Sequence, residues 1–413
     1  MIDPVRLATA PRPLTLARCG EGYLPWLMAD LARAAKGRAW FIAADEAQAR
    51  SLAEAAGYFA PEIEVVLLPA WDCLPYDRAS PSLKAASDRV AAFAALADAP
   101  AAAQLVVTTV NAITQRCLPK ARIASLSARL KPGSRIDRNA LALKLAANGY
   151  VRVDTVVEPG EYALRGGLVD VMPSGADFGL RLDFFGDEIE SIRRFDPASQ
   201  RSLGPADGFT LLPVSEVLLD EARIKAFRAG WLDRFGATAT ADPLYEAISD
   251  GRRLAGMEHW LPLFESGLVT LFDWLGDGDV LVKSAGADKA AADRFDAIAD
   301  YHDNRVAALS AKKGSYRPLA PDALYLAPAE WADRLAAARV HAASPHAVPD
   351  GTLNAVDCDA VPARDFAPER VAQANGGPPV YAAIKDHVEQ SRAAGDRVIL
   401  ASYSAGARER LSG

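Results

Sequence analysis

A strand-rich stretch, Glu158 to Asp196, interrupts a chain that otherwise alternates helix and strand, and this interruption constrains the fold more than any other feature. Two apolar runs lie in it, Leu164 to Met172 and Leu180 to Phe185, separated by the turn formers Pro173, Ser174, Gly175 and Asp177. A third run follows Gly186-Asp187, a pair suited to a tight hairpin turn. Alternation in the second run sends Leu180, Leu182 and Phe184 toward a core and Arg181, Asp183 and Phe185 to the opposite face. An arginine and an aromatic on one exposed face are the residue types that dominate protein-docking hot spots, so the stretch points to a partner protein more than to a substrate. An ordinary two-sided sheet, with Phe185 packed under a neighbouring loop, fits the same spacing.

On either side of this stretch the pattern is α/β. Leu24, Leu27, Met28 and Leu31 form a helical stripe with Pro25 in the first turn, and Ala39 to Ala43 reads as a buried strand. Asp45 caps a helix ending at Gly57, Val65 to Leu68 is a strand, Ser80-Pro81 opens a helix through Arg89 and Phe93, and Gln104 to Thr108 is a further strand. Strands separated by helices of this length imply a parallel sheet covered on both faces. Asp137 then caps a helix that stops at Gly149, before the strands of the interruption. Helical periodicity returns over Ala222 to Phe235 and Ala287 to Ala307. The expected division is residues 1–122 and 214–342 as two parts of one α/β domain, with 123–213 as a small α+β insert. Residues 343–378, rich in Pro, Ala, Asp and Gly, read as a linker. A helix over Val380 to Ala394 and a strand over Val398 to Ser402 read as the truncated start of a further domain, 379–413.

Composition excludes several classes. At 413 residues with half of them hydrophobic, the chain supports roughly two to three domains with real cores. A formal charge of -7 argues against a broad electrostatic grip on nucleic acid. Cys19, Cys73, Cys117 and Cys358 form no CxxC pair, which suits reduced thiols in a cytoplasmic protein better than a zinc site or a disulfide framework. His259, His302, His341, His346 and His387 show no metal-ligand spacing, and no apolar run approaches the length that spans a bilayer.

Phosphoryl transfer needs a glycine-rich loop followed by Lys and Ser/Thr before a helix, and an acidic pair after an apolar strand. The loop position reads Cys19-Gly20-Glu21-Gly22-Tyr23; Gly20 and Gly22 remain, Glu21 puts negative charge where polyphosphate would sit, and no Lys follows. The candidate strand Val280-Leu281-Val282 runs into Lys283-Ser284-Ala285-Gly286, with no acidic pair. Asp183, Asp187, Glu188 and Glu190 are close in sequence, as in a metal or paired-carboxylate site, but hairpin turns favour such residues anyway. The expectation is a chain with no catalytic, cofactor or metal site of its own.

Three segments carry a resemblance: Leu68-Pro69-Ala70-Trp71-Asp72-Cys73-Leu74-Pro75-Tyr76-Asp77 with Ser80-Pro81; Gly160-Glu161-Tyr162 with Arg165 to Pro173 and Arg181 to Phe185; and Gly256-Met257-Glu258-His259-Trp260 with Thr270 to Leu275. In this order they resemble the amino-terminal, UvrB-like region of the bacterial transcription-repair coupling factor family, over most of residues 10 to 345. The resemblance implies a RecA-like, P-loop-type motor domain, degenerate in its nucleotide motifs, split by an α+β insert that docks on UvrA. UvrB keeps both nucleotide motifs and a long aromatic hairpin; the short Tyr76 to Ser82 connection here favours the coupling factor. Carried over by position, the UvrA-contacting residues fall on Arg165, Arg181 and Phe185. RNA polymerase, DNA, ATP and magnesium are expected to engage only carboxy-terminal domains beyond this chain. In the family those distant domains mask the docking surface, so this chain alone is expected to bind UvrA constitutively. The alternative is a UvrB-like, ATP-dependent DNA repair enzyme with an unusual phosphate loop.

Overall fold

The computed structural model describes residues 2–349, 351–361, 364–400, 402 and 404–412. Strand β1 (Thr15–Ala17) leads through a loop into helix Leu24–Ala34, where Pro25 sits in the first turn and loses no hydrogen bond. Strand β2 (Ala39–Ala43) is buried along its whole length, as a central parallel strand must be. Asp45 then caps helix Glu46–Phe59, its carboxylate accepting the Gln48 N–H at 2.8 Å. Strand β3 (Glu64–Leu68) is followed by helix Leu83–Ala97 and strand β4 (Gln104–Thr109). That helix starts later than Ser80-Pro81 suggests, because the Ser82 hydroxyl accepts the Ala85 N–H at 3.1 Å and sets the cap.

The chain next leaves the parallel sheet. Strand β5 (Ala128–Leu130) and the Asp137-capped helix Arg138–Ala147 precede β6 (Val151–Arg152), β7 (Glu161–Arg165), β8 (Leu168–Val171), β9 (Gly179–Phe185), β10 (Glu188–Phe195), β11 (Ser202–Pro205) and β12 (Phe209–Leu211). Strands β6 to β11 form a six-stranded sheet in sequence order, antiparallel except for the parallel β6–β7 pair, while β5 and β12 pair separately. The single strand expected over Leu164 to Met172 is instead the β7–β8 hairpin, since Gly166, at a φ of 58°, turns the chain where a side chain would be strained. Leu141 and Leu145 of the helix cover one face of this sheet, packing with Tyr162, Val169, Leu180, Leu182, Ile189 and Ile192. The opposite face carries only a small cluster of Val156, Ala163, Met172 and Phe195.

Helix Glu221–Phe235 restores the helical pattern, and β13 (Val280–Lys283), β14 (His341–Ala343) and β15 (Ala355–Asp357) return to the first sheet. Its order is β15-β1-β14-β13-β2-β4-β3, all parallel. The architecture is thus α/β with a seven-stranded parallel sheet and a separate sheet formed by one excursion of the chain. The linker reading of 343–378 is corrected in part. Ala355–Asp357 pairs with Thr15–Ala17 at the sheet edge, and Arg18 bonds Asp357 at 2.8 Å and Asp359 at 2.9 Å; three paired residues need no periodicity to form a strand.

The chain divides into two compact units, Met1–Asp359 and Ala360–Gly413. The second contains helices Ala367–Ala374, Val380–Ala393 and Ala405–Ser412. Of the strand expected over Val398 to Ser402, Ala401 lies outside the described residues, and Val398, Ile399 and Leu400 form no strand, since no strand among the described residues of that unit offers them a hydrogen-bonding edge.

A buried ion pair ties the excursion to the parallel sheet. Arg89, on helix Leu83–Ala97, donates Nε to Glu216 at 2.9 Å, and the two side chains are 1% and 2% exposed. The same Glu216 oxygen accepts Trp71 Nε1 at 3.1 Å, while Arg89 Nη1 donates to the Pro69 carbonyl at 2.9 Å. Glu258 accepts the Ser80 hydroxyl at 2.6 Å and pairs with Arg253, and Trp274 Nε1 donates to the Leu118 carbonyl at 3.2 Å. Two of the three resemblance segments therefore supply interior joints.

Removing either partner of the Arg89–Glu216 pair strands a buried charge, so Glu216→Ala or Arg89→Ala is expected to cost about 3–5 kcal/mol in urea denaturation. The double variant should lose no more than either single one. Stability should also fall as pH drops from 7 to 5. Burial lowers His259 and His341 to about 4, and His341 Nδ1 accepts the Leu14 N–H at 3.0 Å, which fixes it neutral. Below their ordinary value near 6.5 the unfolded imidazoles bind protons that the folded ones refuse, so stability is lost as pH falls toward 4. His341→Asn, which keeps an acceptor for Leu14, should show a shallower drop in urea midpoint between pH 7 and 5.

Candidate partner-docking site

The turns of the β7–β8 and β9–β10 hairpins lie at one end of the six-stranded sheet, side by side, with the Phe184 N–H donating to the Gly167 carbonyl at 3.0 Å. Phe185 closes the second hairpin opposite Glu188 and is 80% exposed. No loop among the described residues covers it, so the two-sided-sheet reading does not apply at this position. Arg165 ends β7 opposite Leu168, which in turn faces Asp183. Its guanidinium is exposed and donates to the Asp154 carbonyl and to the Thr155 hydroxyl, the latter at 3.0 Å. These bonds hold the side chain to the loop before β7 while leaving it accessible.

Arg181 is placed differently. Strand alternation does set it on the face opposite Leu180 and Leu182, but its side chain is only 23% exposed. Its fork binds Asp170 of β8 at 2.7 and 2.8 Å, a carboxylate 2% exposed, and its guanidinium stands 5.1 Å from the Phe195 ring centre. The bidentate bond holds its pKa above the ordinary value. Gly179 completes the arrangement: a Cβ there would lie 2.1 Å from Phe195, so only glycine lets the ring lie across β9. Arg181 is consequently a strut under the surface as much as part of it. Sequence reasoning missed Asp170, although an acid between Val169 and Val171 in a strand signals a buried, paired carboxylate. The neighbouring acids are also engaged, Asp183 by Arg193 at 2.8 Å and Glu188 by Arg135 at 3.6 Å.

The loop with Gly20, Glu21 and Gly22 does lie between β1 and a helix, as the motif reading supposes. A side chain at either glycine would meet nothing within 4 Å, so neither is demanded by packing. The adjoining cavity, about 420 Å³, is lined by the carboxylates of Glu21 and Asp45 with Gln48, Ser51 and Gly286, and by no cation. Lys283, the nearby cation at the end of β13, is tied to Asp288 at 2.6 Å. Such a lining repels polyphosphate.

Because Asp170 is buried, Arg181→Ala should destabilise the sheet by about 2–3 kcal/mol. Phe185→Ala and Arg165→Ala, at exposed positions, should stay within about 0.5 kcal/mol of the parent. Urea denaturation of the three variants checks this ordering.

Comparison with known proteins bears on this site. A family model described as the UvrB interaction domain matches residues 128–217, the excursion from β5 to just beyond β12. The chain is 36% identical over 285 residues to the transcription-repair-coupling factor of Escherichia coli (strain K12), covering 69% of this chain and 24% of that protein. It is 36% identical over 266 residues to the factor of Haemophilus influenzae, covering 64% and 22%, and 35% identical over 297 residues to that of Myxococcus xanthus, covering 67% and 24%. The chain thus spans about a quarter of the length of the curated relatives it matches. These matches place it with the amino-terminal region of the transcription-repair-coupling factors, with a UvrB interaction domain at residues 128–217.

Proposed function

We propose that this chain is the UvrB-like docking module of a transcription-repair-coupling factor, which recruits UvrA to RNA polymerase stalled at a lesion. The observation that carries the reading is Phe185, four-fifths exposed at the tip of a hairpin inside the matched domain, on the same face of the sheet as the accessible Arg165. A ring held by a short hairpin loses little freedom on binding and buries a large area, which is what a docking anchor needs. Arg181 contributes from below: its salt bridge to Asp170 keeps β8 and β9 in register, and its partly exposed edge adds charge to the same face.

The remaining assignments belong to the same proposal. Residues 1–122 and 214–342 are a RecA-like domain that has lost its nucleotide chemistry, and 123–213 is its insert. The acidic lining beside Gly20, Glu21 and Gly22 supports a chain that does not hydrolyse ATP. ATP, magnesium, DNA and RNA polymerase would be handled by other parts of the longer cytoplasmic protein.

Calorimetry with UvrA tests the surface. Phe185→Ala and Arg165→Ala should each weaken binding by about 2 kcal/mol, roughly thirtyfold, with folding unchanged. Parent-like affinity in both would sink the assignment. ATP turnover by the purified chain, or its thermal stabilisation by ATP with magnesium, would favour the ATP-dependent repair enzyme instead.

A further inference from the structure

We propose that the crevice running along edge strand β3 to the loop that follows it binds a small oxyanion, or the phosphate or carboxylate group of a larger ligand, through Arg294. A cavity of about 810 Å³ lies there, reaching from Glu64 at the start of β3 past the carboxyl end of that strand. Pro69 to Leu74 and Asn111, which follow β3 and β4, line it with Arg50 and Arg294. Arg294 comes from helix Ala287–Ser310, and its Nε is buried without a hydrogen-bond partner. Among the described residues no carboxylate pairs with its guanidinium, whose close cationic contact is the Tyr325 ring at 5.5 Å. Arg305 on the same helix, by contrast, donates Nε to the Tyr76 carbonyl at 2.9 Å.

A guanidinium held partly out of water without a counter-ion is costly, and burial depresses Arg294 below its ordinary value. The titratable groups that act most directly on it, Tyr325 and Cys73, supply no negative charge at neutral pH. Burial raises the Cys73 thiol to about 12 and raises the Tyr325 phenol, while His259 is lowered to about 4. Four carboxylates also line the crevice, and each has another partner. Glu46 accepts the Thr109 hydroxyl at 2.9 Å, Glu64 the Gln104 amide at 2.7 Å and Asp72 the Ser82 N–H at 2.8 Å, while Asp88 pairs with Lys84 at 2.8 Å. Arg50, exposed at the rim, also lacks an ion pair among the described residues. A planar oxyanion fits the fork of Arg294 and supplies the missing charge.

The test is the thermal midpoint of the chain in sodium phosphate, sodium succinate and sodium chloride of equal ionic strength, for the parent and Arg294→Met. The expected result is a saturable rise of the parent in phosphate, succinate or both relative to chloride, absent in Arg294→Met. The pattern between the two anions tells a phosphate-bearing ligand from a carboxylate. No rise in the parent, or an equal rise in the variant, overturns the proposal. Should Arg294→Met fail to fold, alkylation of Cys73 decides: it lines the same crevice, whereas the other three cysteines are buried. The stabilising anion should slow its modification by iodoacetamide in the parent several-fold, and an unchanged rate overturns the site.

Discussion

The joint of Arg89, Glu216 and Trp71 is the constraint on which the rest of the structure depends. The chain leaves the parallel sheet after β4 and returns to it past Glu216, so the excursion needs an anchor where it re-enters. Glu216 supplies it by bonding at once to a helix of the first part, through Arg89, and to the loop after β3, through Trp71. Two charges taken from water stabilise best when their geometry is tight and their other bonds are met; Arg89 also reaches the Pro69 carbonyl, while Glu216 Oε1 has no hydrogen-bond partner among the described residues. The Trp71 segment thus serves as an interior joint.

The same logic shapes the docking end of the six-stranded sheet. One face is covered by a helix and forms a normal core, while the other has only the small cluster around Phe195. Arg181 stiffens that thinly covered face by clamping Asp170 and lying over Phe195, and Gly179 clears the room the ring needs. A rigid sheet end lets Phe185 stay exposed without collapsing onto its own surface. Stability and presentation are therefore supplied by different residues, which is why Arg181 and Phe185 are expected to respond differently to truncation.

Much of this was legible in the chain. Helical stripes, caps such as Asp45 and Asp137, and the strand-rich interruption follow from local periodicity and hydrogen bonding, which act over a few residues. Alternation also put Arg181 and Phe185 on one face. Three things were not legible because they depend on partners distant in sequence. The Asp170 clamp crosses between strands, β15 exists only because β1 offers an edge, and Val398 to Leu400 stay out of any strand because none among the described residues of their unit offers one.

By itself the sequence determined the α/β class, the place of the interruption, the absence of a Lys after Gly22 and the presence of Arg165, Arg181 and Phe185 within it, since each follows from residue type and spacing alone. Only the tertiary structure decided that Phe185 is open to solvent, that Arg181 is half-buried on Asp170, and that Arg294 faces a crevice without a counter-ion. Exposure and charge compensation are properties of what the rest of the chain brings alongside, and no local pattern records them.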